Sequence, residues 1–461
     1  MIFRQLIDRD LGCASYLLGD HGRGVVVDPG LDVERMLAAA EEERLAIELI
    51  VETHVHADHV SGRALLAART GASVRLPAGG DYEPGAGEPL RDGDELAVSD
   101  LRLTIVAAPG HRPEHLVVLV ADTARDPRPW LLLSGDSLLV GDLARPDLAV
   151  DPREGAAALH ATLARLGALD DGVELWPGHV GGSLCGGPGL SRKTSSTLGC
   201  ERAVNPLLAV EAEEFATRLI AGLPARPPTV AAVVARNRRR VPAATATAAL
   251  PLLDGAELAR ALDAGATVLD GRSADAFDAG HLPGSLSLAL DGSGLGTRAA
   301  WALDPERELV VLADDEAGAL TLARNVRAVG LERVRGVVPA GGDGALEALA
   351  AAVGAPLERT RPIVVAELPA LLAERAVTLV DVRDAPEWGR GHLAHGLHLP
   401  LSQLRERAGE LPAGPLAVAC ASGGRAAFAA SWLRAQGHDA RRVSGGGIPD
   451  LPVLGVELVA A

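Results

Sequence analysis

The chain has 461 residues, 48% of them hydrophobic and only 2% aromatic, with 44 basic against 61 acidic side chains and a formal net charge of −17. At roughly 150 residues per domain, that length predicts about three domains, with cores filled mainly by Leu, Val and Ala. The charge excludes a sequence-independent nucleic-acid or anionic-lipid surface, which needs a basic face, but leaves room for a local basic pocket. Four cysteines, Cys13, Cys185, Cys200 and Cys420, are too few for a disulfide scaffold in so long a chain. The first ten residues carry no apolar run after their charge, and apolar runs such as 116–121 fall far short of the ~20 residues of a membrane helix. A soluble protein of the reducing cytoplasm is expected.

The first ~240 residues alternate β-rich runs with Gly, Asp and Pro turns. Val25-Val26-Val27-Asp28-Pro29-Gly30 reads as a strand entering a turn, 36–45 as a helix and 47–53 as a strand. Further strands are predicted at 101–107, 117–120, 131–133 and 173–175, and helices at 215–221 and 230–237. Arg238-Arg239-Arg240-Val241-Pro242 and the Ala/Thr run up to Pro251 lack periodicity and read as a linker. An internal repeat follows. Asp270-Gly271-Arg272 and Gly280-His281-Leu282 recur as Asp381-Val382-Arg383 and Gly391-His392-Leu393 at an offset of 111 residues, with Phe277 answered by Trp388. Both copies alternate strand and helix patterns, as parallel α/β units do.

The strand at 47–53 runs into Thr53-His54-Val55-His56-Ala57-Asp58-His59, three histidines and an aspartate within six residues. In extended chain His54 and His56 point to one side, while Asp58 and His59 turn in from the next helix. Such side chains suit zinc or ferrous iron. Pro109-Gly110-His111, Ser134-Gly135-Asp136-Ser137 and Trp176-Pro177-Gly178-His179 each place one ligand-type residue at a strand end beside glycine, where the backbone can bend inward. Arg112, directly after His111, either assists an acidic substrate or faces solvent. Cys13, in an apolar strand, is expected in the core; Cys185, six residues beyond His179, is expected near the metal.

In the last repeat, Ala417-Val418-Ala419-Cys420-Ala421-Ser422-Gly423-Gly424-Arg425 reads as a strand, a small-residue loop and a helix start near Arg425. Backbone N–H groups of a tight loop, the helix N-terminus and Arg425 together should stabilise the Cys420 thiolate and favour an anion there. The matching loop of the middle repeat, Ala313-Asp314-Asp315-Glu316, has Asp314 where the cysteine should be, and its three carboxylates would repel such an anion. This repeat is expected to be catalytically inactive.

The ligand pattern of residues 1–240 resembles the metallo-β-lactamase superfamily, which implies an αββα sandwich with the metal at one sheet edge. That superfamily includes dizinc hydrolases, glyoxalase II-like thioesterases and mononuclear iron persulfide dioxygenases. Residues 13–18 look like its opening strand. Asp136-Ser137-Leu138-Leu139 with Arg145-Pro146-Asp147 resembles a dioxygenase segment whose arginine, here Arg145, lies close to the persulfide. The 179–186 stretch resembles the bacterial branch fused to rhodanese domains. The resemblance implies iron held by His54, His111 and Asp136. His56, Asp58, His59 and His179 would then be supporting groups or remnants of a second metal site.

The Cys420 loop, with Asp381-Val382-Arg383, Glu387-Trp388 and Gly391-His392 upstream, resembles the rhodanese active site. That makes Cys420 and Arg425 the catalytic pair, and Ala421, Ser422, Gly423 and Gly424 the persulfide loop. Cys200 is a candidate relay thiol near the entrance of the metal site. The expected fold is α/β and α+β multidomain: a metallo-β-lactamase domain over 1–245, an inactive rhodanese-like domain over 246–357 and an active one over 358–461. The implied activity is oxidation of a low-molecular-weight thiol persulfide to sulfite by O2 at one ferrous iron per chain, with Cys420 passing sulfane sulfur to give thiosulfate. The implied partners are small molecules and further copies of the chain, without nucleic acid or membrane. Zinc is the alternative metal, for a glyoxalase II-like thioester hydrolase. A non-enzymatic sulfur carrier or sensor is the third reading.

Overall fold

The computed structural model describes all residues except 182, 184, 188, 222, 224, 241–248, 293 and 461. Most of the expected linker, and Gly182 and Leu184 of the 179–186 stretch, therefore lie outside the described residues. The chain divides into two compact units, Met1–Pro224 with Val230–Thr247, and Ala225–Thr229 with Ala248–Ala461. No described helix is long and apolar enough to cross a membrane.

The first unit contains two six-stranded sheets. One consists, in spatial order, of β1 (Ile2–Ile7), β2 (Ala14–Asp20), β3 (Arg23–Val27), β4 (Ala46–Val51), β5 (Ser73–Pro77) and β6 (Glu88–Leu90). The other is built from β7 (Glu95–Val98), β8 (Leu101–Ala107), β9 (Leu116–Asp122) and β10 (Leu131–Gly135). A small hairpin, β11 (Leu138–Leu139) and β12 (Asp142–Leu143), follows in the chain; β13 (Glu174–Pro177) and β14 (Ser196–Thr197) then complete that second sheet beside β10.

Period-2 alternation explains why both faces of each sheet are covered. Tyr16, Leu18, Val25, Val27 and Val51 of the first sheet meet Leu103, Ile105, Val118, Val120 and Leu133 of the second in one core. Their alternates Leu17, Val26 and Ile50 face Met36, Ala39, Ala40 and Leu66 on the helices Val33–Glu42 and Arg63–Thr70. Leu119, Leu132 and Leu175 face Leu159, Leu163 and Phe215 on the helices Pro152–Leu166 and Ala212–Ala221. The result is the expected αββα sandwich. Residues 14–18 belong to its second strand rather than its opening one, because Ile2–Ile7 pairs antiparallel outside it, and Cys13 just precedes that strand. The 36–45 helix begins earlier, at Val33, after Asp32.

The second unit holds the two repeats, each around a parallel sheet. The middle one has the order β16 (Leu286–Ser287), β15 (Thr267–Asp270), β17 (Leu309–Ala313) and β18 (Val334–Pro339). The last one repeats that order with β21 (Leu397–His398), β20 (Thr378–Asp381), β22 (Leu416–Ala419) and β23 (Ala440–Ser444), and adds β19 (Ile363–Val364) at its edge. The 111-residue repeat is a set of matched contacts. Arg272 clasps Asp270 through two nitrogens and donates to the Gly280 carbonyl at 2.8 Å; Arg383 clasps Asp381 and donates to the Gly391 carbonyl at 2.8 Å. Phe277 stacks on His281, and Trp388 on His392, both with centroids 3.9 Å apart. Glu358 pairs with His281 and the Thr360 N–H donates to the Asp278 carbonyl, so residues just past 357 still bond to the middle repeat.

Candidate functional site

Strand ends of both sheets deliver the expected ligand residues to one buried place. Thr53 follows β4, and both its N–H and its hydroxyl donate to Asp28 at 2.7 Å. With its proton committed to Asp28, the Thr53 oxygen accepts from His54 Nδ1 at 2.9 Å. That assigns the tautomer and leaves His54 Nε2 as a lone-pair donor. His111 Nδ1 donates to the Arg145 carbonyl at 2.8 Å, again freeing Nε2. His179 Nδ1 holds Asp136 Oδ1 at 2.7 Å and leaves Oδ2 over. The three remaining atoms, His54 Nε2, His111 Nε2 and Asp136 Oδ2, are buried without a hydrogen-bond partner. They converge: Oδ2 lies 3.8 Å from His54 Nε2 and 3.4 Å from His111 Nε2. Unpartnered buried polar atoms are costly, and a shared cation satisfies all three at once. Burial and the neighbouring imidazoles keep His54 well below the ordinary histidine range, and burial lowers His111 as well. Burial alone would raise the Asp136 carboxyl, but His179 and His111 hold it below the usual range. Two neutral imidazoles and one carboxylate therefore fit a divalent metal.

Glycine beside Asp136 and His179 leaves room for neighbouring side chains. A Cβ on Gly135, whose φ is +47°, would stand 2.6 Å from His115 Nε2, and one on Gly178 would stand 2.6 Å from Asp136 Oδ1. His115 is a residue that sequence reasoning missed. It is fully buried, burial lowers it to about 3, and its Nε2 accepts the Asp136 N–H at 2.8 Å. Asn237 was missed too. From the end of the Val230–Asn237 helix its amide donates to the carbonyls of His56 and His59 at 2.9 and 2.8 Å and accepts the Ser61 N–H at 2.9 Å. It fastens both ends of the histidine motif. An isolated Asn near a helix end carries no sequence signal for that role.

The other expected ligands form two separate groups. His56 Nε2 lies 2.9 Å from Glu52 and 3.3 Å from Asp28, and these carboxylates outweigh burial and raise it. Asp58, His59 and His179 gather around Cys13, whose Sγ is 3.3 Å from Asp58, 3.4 Å from His59 and 3.3 Å from His179. Cys13 is thus buried, as expected, but in a polar cluster instead of an apolar core. Burial and Asp58 raise its thiol well above the usual value. Cys185 joins Asp136 and His179, and burial pushes it up to about 12.

Arg112 neither faces solvent nor reaches outward: it is buried against Glu114 at 2.5 Å, and Glu114 accepts the Val55 N–H. The Arg145 guanidinium is buried against Asp147 at 2.7 and 2.8 Å. Its carbonyl is what orients His111. Cys200 is exposed in the first turn of the Leu198–Val204 helix and joins no ligand group among the described residues.

In the last repeat Cys420 is buried at the end of β22, and its Sγ accepts the Gly423 N–H at 3.1 Å. Gly423 has φ +98°, so this tight loop requires glycine there. Arg425 is bound to Glu387 at 2.5 and 2.8 Å and to Asp384 at 3.2 Å. In the middle repeat the Asp314 carbonyl lies against Gly341 as the Cys420 carbonyl lies against Gly447, both 106 residues apart (314 to 420, 341 to 447). Asp314 thus occupies the cysteine position, and Asp315 caps the next helix by accepting the Gly318 N–H at 2.7 Å.

Comparison with known proteins agrees with this division. Residues 8–179 match the metallo-beta-lactamase superfamily, and 254–338 and 364–448 each match the rhodanese-like domain. A hydroxyacylglutathione hydrolase of Anaeromyxobacter dehalogenans is 33% identical over 224 residues, 43% of this chain and 82% of that protein. The mitochondrial persulfide dioxygenase ETHE1 of Bos taurus is 28% identical over 225 residues, 47% of this chain and 79% of that protein. A crystal structure of a metallo-beta-lactamase from Staphylococcus aureus superposes with a TM-score of 0.65 at 26% identity, covering 73% of this chain and 98% of that one. The chain belongs to the metallo-β-lactamase superfamily and carries two rhodanese-like domains behind its metallo-β-lactamase fold.

Proposed function

We propose that the chain oxidises low-molecular-weight thiol persulfides to sulfite with O2 at one ferrous iron, and that Cys420 passes sulfane sulfur to sulfite to give thiosulfate. The observation that carries this reading is the set of three unpartnered buried atoms, His54 Nε2, His111 Nε2 and Asp136 Oδ2, beside a second ligand cluster whose centre is taken by the Cys13 thiol. Asp58, His59 and His179 are engaged with the Cys13 thiol, and His56 lies against Glu52 and Asp28. That leaves two histidines and a carboxylate, the donor set of mononuclear iron oxygenases. Rhodanese-like domains in the same chain supply the sulfur context, as does the likeness to a persulfide dioxygenase.

Bound iron would supply O2 activation next to a sulfur ligand, which zinc, having no redox chemistry, does not. The protein's own part is positional. Thr53 and the Arg145 carbonyl fix the two imidazoles, His179 fixes the carboxylate, and Asn237 holds the motif loop. The overall reaction balances as RSSH + O2 + H2O giving RSH and sulfurous acid. At Cys420 the persulfide is cradled by the Gly423 N–H and released to sulfite.

A second reading has an observation in its favour. Cys13, Asp58, His59 and His179 keep their ligand atoms within 4.8 Å of one another, a group able to hold a second ion as the dizinc thioesterase reading needs. Metal analysis with oxygen electrode assays separates the two. The expected result is one iron per chain, glutathione-persulfide-dependent O2 uptake, and loss of both in His111→Ala. Cys420→Ser should keep O2 uptake and shift product from thiosulfate to sulfite. Two zincs in the native protein, with thioester hydrolysis and no O2 uptake, would overturn the proposal.

A further inference from the structure

The middle repeat lacks a cysteine, yet it reaches the loop of the repeat that has one. Its helix Leu295–Ala302 packs against the last repeat at Leu401–Gln403, Leu404–Arg407 and Gly424–Ala435. From this helix Arg298 sends its guanidinium to the backbone of Gly424. A Cβ built there would meet Nη1 at 3.0 Å, Nη2 at 3.2 Å and Cζ at 3.4 Å. A Cβ on Gly292 would meet the same Nη1 at 2.9 Å. The guanidinium therefore lies close against two glycine backbones, one from each repeat. Gly424 does not have a left-handed φ, so its lack of a side chain is explained by room for Arg298 and not by its dihedral.

The position is chemically pointed. Gly424 opens the helix directly after Gly423, whose N–H touches Cys420 Sγ. The cation expected for this loop, Arg425, is tied to two carboxylates, Glu387 and Asp384, which offset its charge. Arg298, which also has interaction partners of its own, brings a second guanidinium beside the loop from the neighbouring repeat. Buried and polar contacts hold the two repeats so that it stays there. Arg442 pairs with Asp278 at 2.6 Å and also with Asp275, the Ser287 N–H donates to Ser431 Oγ at 2.9 Å, and Arg405 meets Asp304 at 3.0 Å.

We propose that Arg298 of the middle repeat is a substrate-positioning residue for sulfur transfer at Cys420, holding the oxyanion of a sulfite- or thiosulfate-type partner at the loop. The inference rests on the reading that Cys420 carries the sulfur. A planar guanidinium matches the oxygens of a sulfur oxyanion with two parallel N–H donors. In the step it serves, a lone pair of the sulfite sulfur forms a bond to the terminal sulfur of Cys420–S–S⁻. The bond from that sulfur to Sγ breaks and its electron pair stays on Sγ as thiolate. Total charge is −3 on both sides, and no oxidant or reductant is consumed.

The test uses the full chain with thiosulfate as donor and cyanide as acceptor. Arg298→Ala should raise KM for thiosulfate roughly tenfold with a much smaller change in kcat, and Arg298→Lys should recover part of the loss. A second readout avoids turnover: alkylation of Cys420 by anionic iodoacetate and by neutral iodoacetamide, followed by mass spectrometry. Arg298→Ala should slow iodoacetate several-fold and leave iodoacetamide unchanged, whereas loss of a merely structural contact would move both together. Arg298→Gln, which keeps most of the side-chain volume, gives the same reading if the alanine variant does not fold. An unchanged KM and an unchanged iodoacetate-to-iodoacetamide ratio in a folded variant would overturn the role of Arg298. Cys420→Ser run alongside separates the two levels: if it still transfers sulfur from thiosulfate, the Cys420 reading itself is wrong. If it is inactive while Arg298→Ala matches the native protein, only the Arg298 inference is.

Discussion

The loops at Asp314 and Cys420 leave equivalent strands, β17 and β22, and enter equivalent helices, yet they treat their backbone N–H groups in opposite ways. At Cys420 the Gly423 N–H is aimed at sulfur. At Asp314 the corresponding helix start is closed by the chain's own carboxylate, with Asp315 accepting the Gly318 N–H. Around both loops the supporting contacts are the same: an arginine clasped to a buried aspartate, and an aromatic ring stacked on a histidine. The lesson is that scaffold and chemistry are separable here. One repeat retains the first without the second, and its surface contributes to the neighbour.

The equivalence of the scaffolds is open to direct attack. Arg272→Ala and Arg383→Ala each leave a buried aspartate without its partner, at an expected cost of about 3–5 kcal/mol. Hydrogen exchange measured repeat by repeat should show comparable losses, and a cost below about 1 kcal/mol in either repeat would break the comparison. A smaller effect comes from His281, which burial lowers to about 4. Its folded value lies below the unfolded one of about 6.5, so its contribution is fully present above pH 6.5 and is lost as pH falls towards 4. Native protein should lose about 1–2 kcal/mol between pH 7 and 5 from this site, and His281→Gln should flatten that slope in urea titrations. The smallest effect is expected of Asp315→Ala. Loss of its cap should cost about 1 kcal/mol and create no persulfide on the middle repeat, as mass spectrometry would read.

Much of this was legible in the sequence because the relevant signals are local. The strands follow from short apolar runs and the αββα layering from the resemblance carried by the ligand motifs, while the 111-residue repeat marked the residues of both the arginine clasp and the aromatic–histidine stack. His54, His111 and Asp136 stood out as ligand-type residues because each lies beside a glycine or within a dense histidine motif, and the resemblance grouped them as a set. What escaped notice depends on distant partners. Cys13 sits in an apolar strand and only folding shows Asp58, His59 and His179 around its sulfur. Arg112 has its partner, Glu114, only two residues on, but only folding shows that the pair is buried and that Glu114 also takes the Val55 N–H. His115 holds the Asp136 N–H and Asn237 the carbonyls of His56 and His59, and a residue type at one position does not encode a bond to a loop about 20 or 180 residues away.

Asn237 sets a practical limit on dissecting the molecule. Both sheets of the first unit are complete by β14, so cutting the chain near residue 229 would look harmless to anyone counting strands. Such a fragment would lose the amide that spans His56, His59 and Ser61, and with it the Arg239 carbonyl that receives Arg63. An isolated metal module must therefore run at least through Arg240, whose N–H still bonds Glu83.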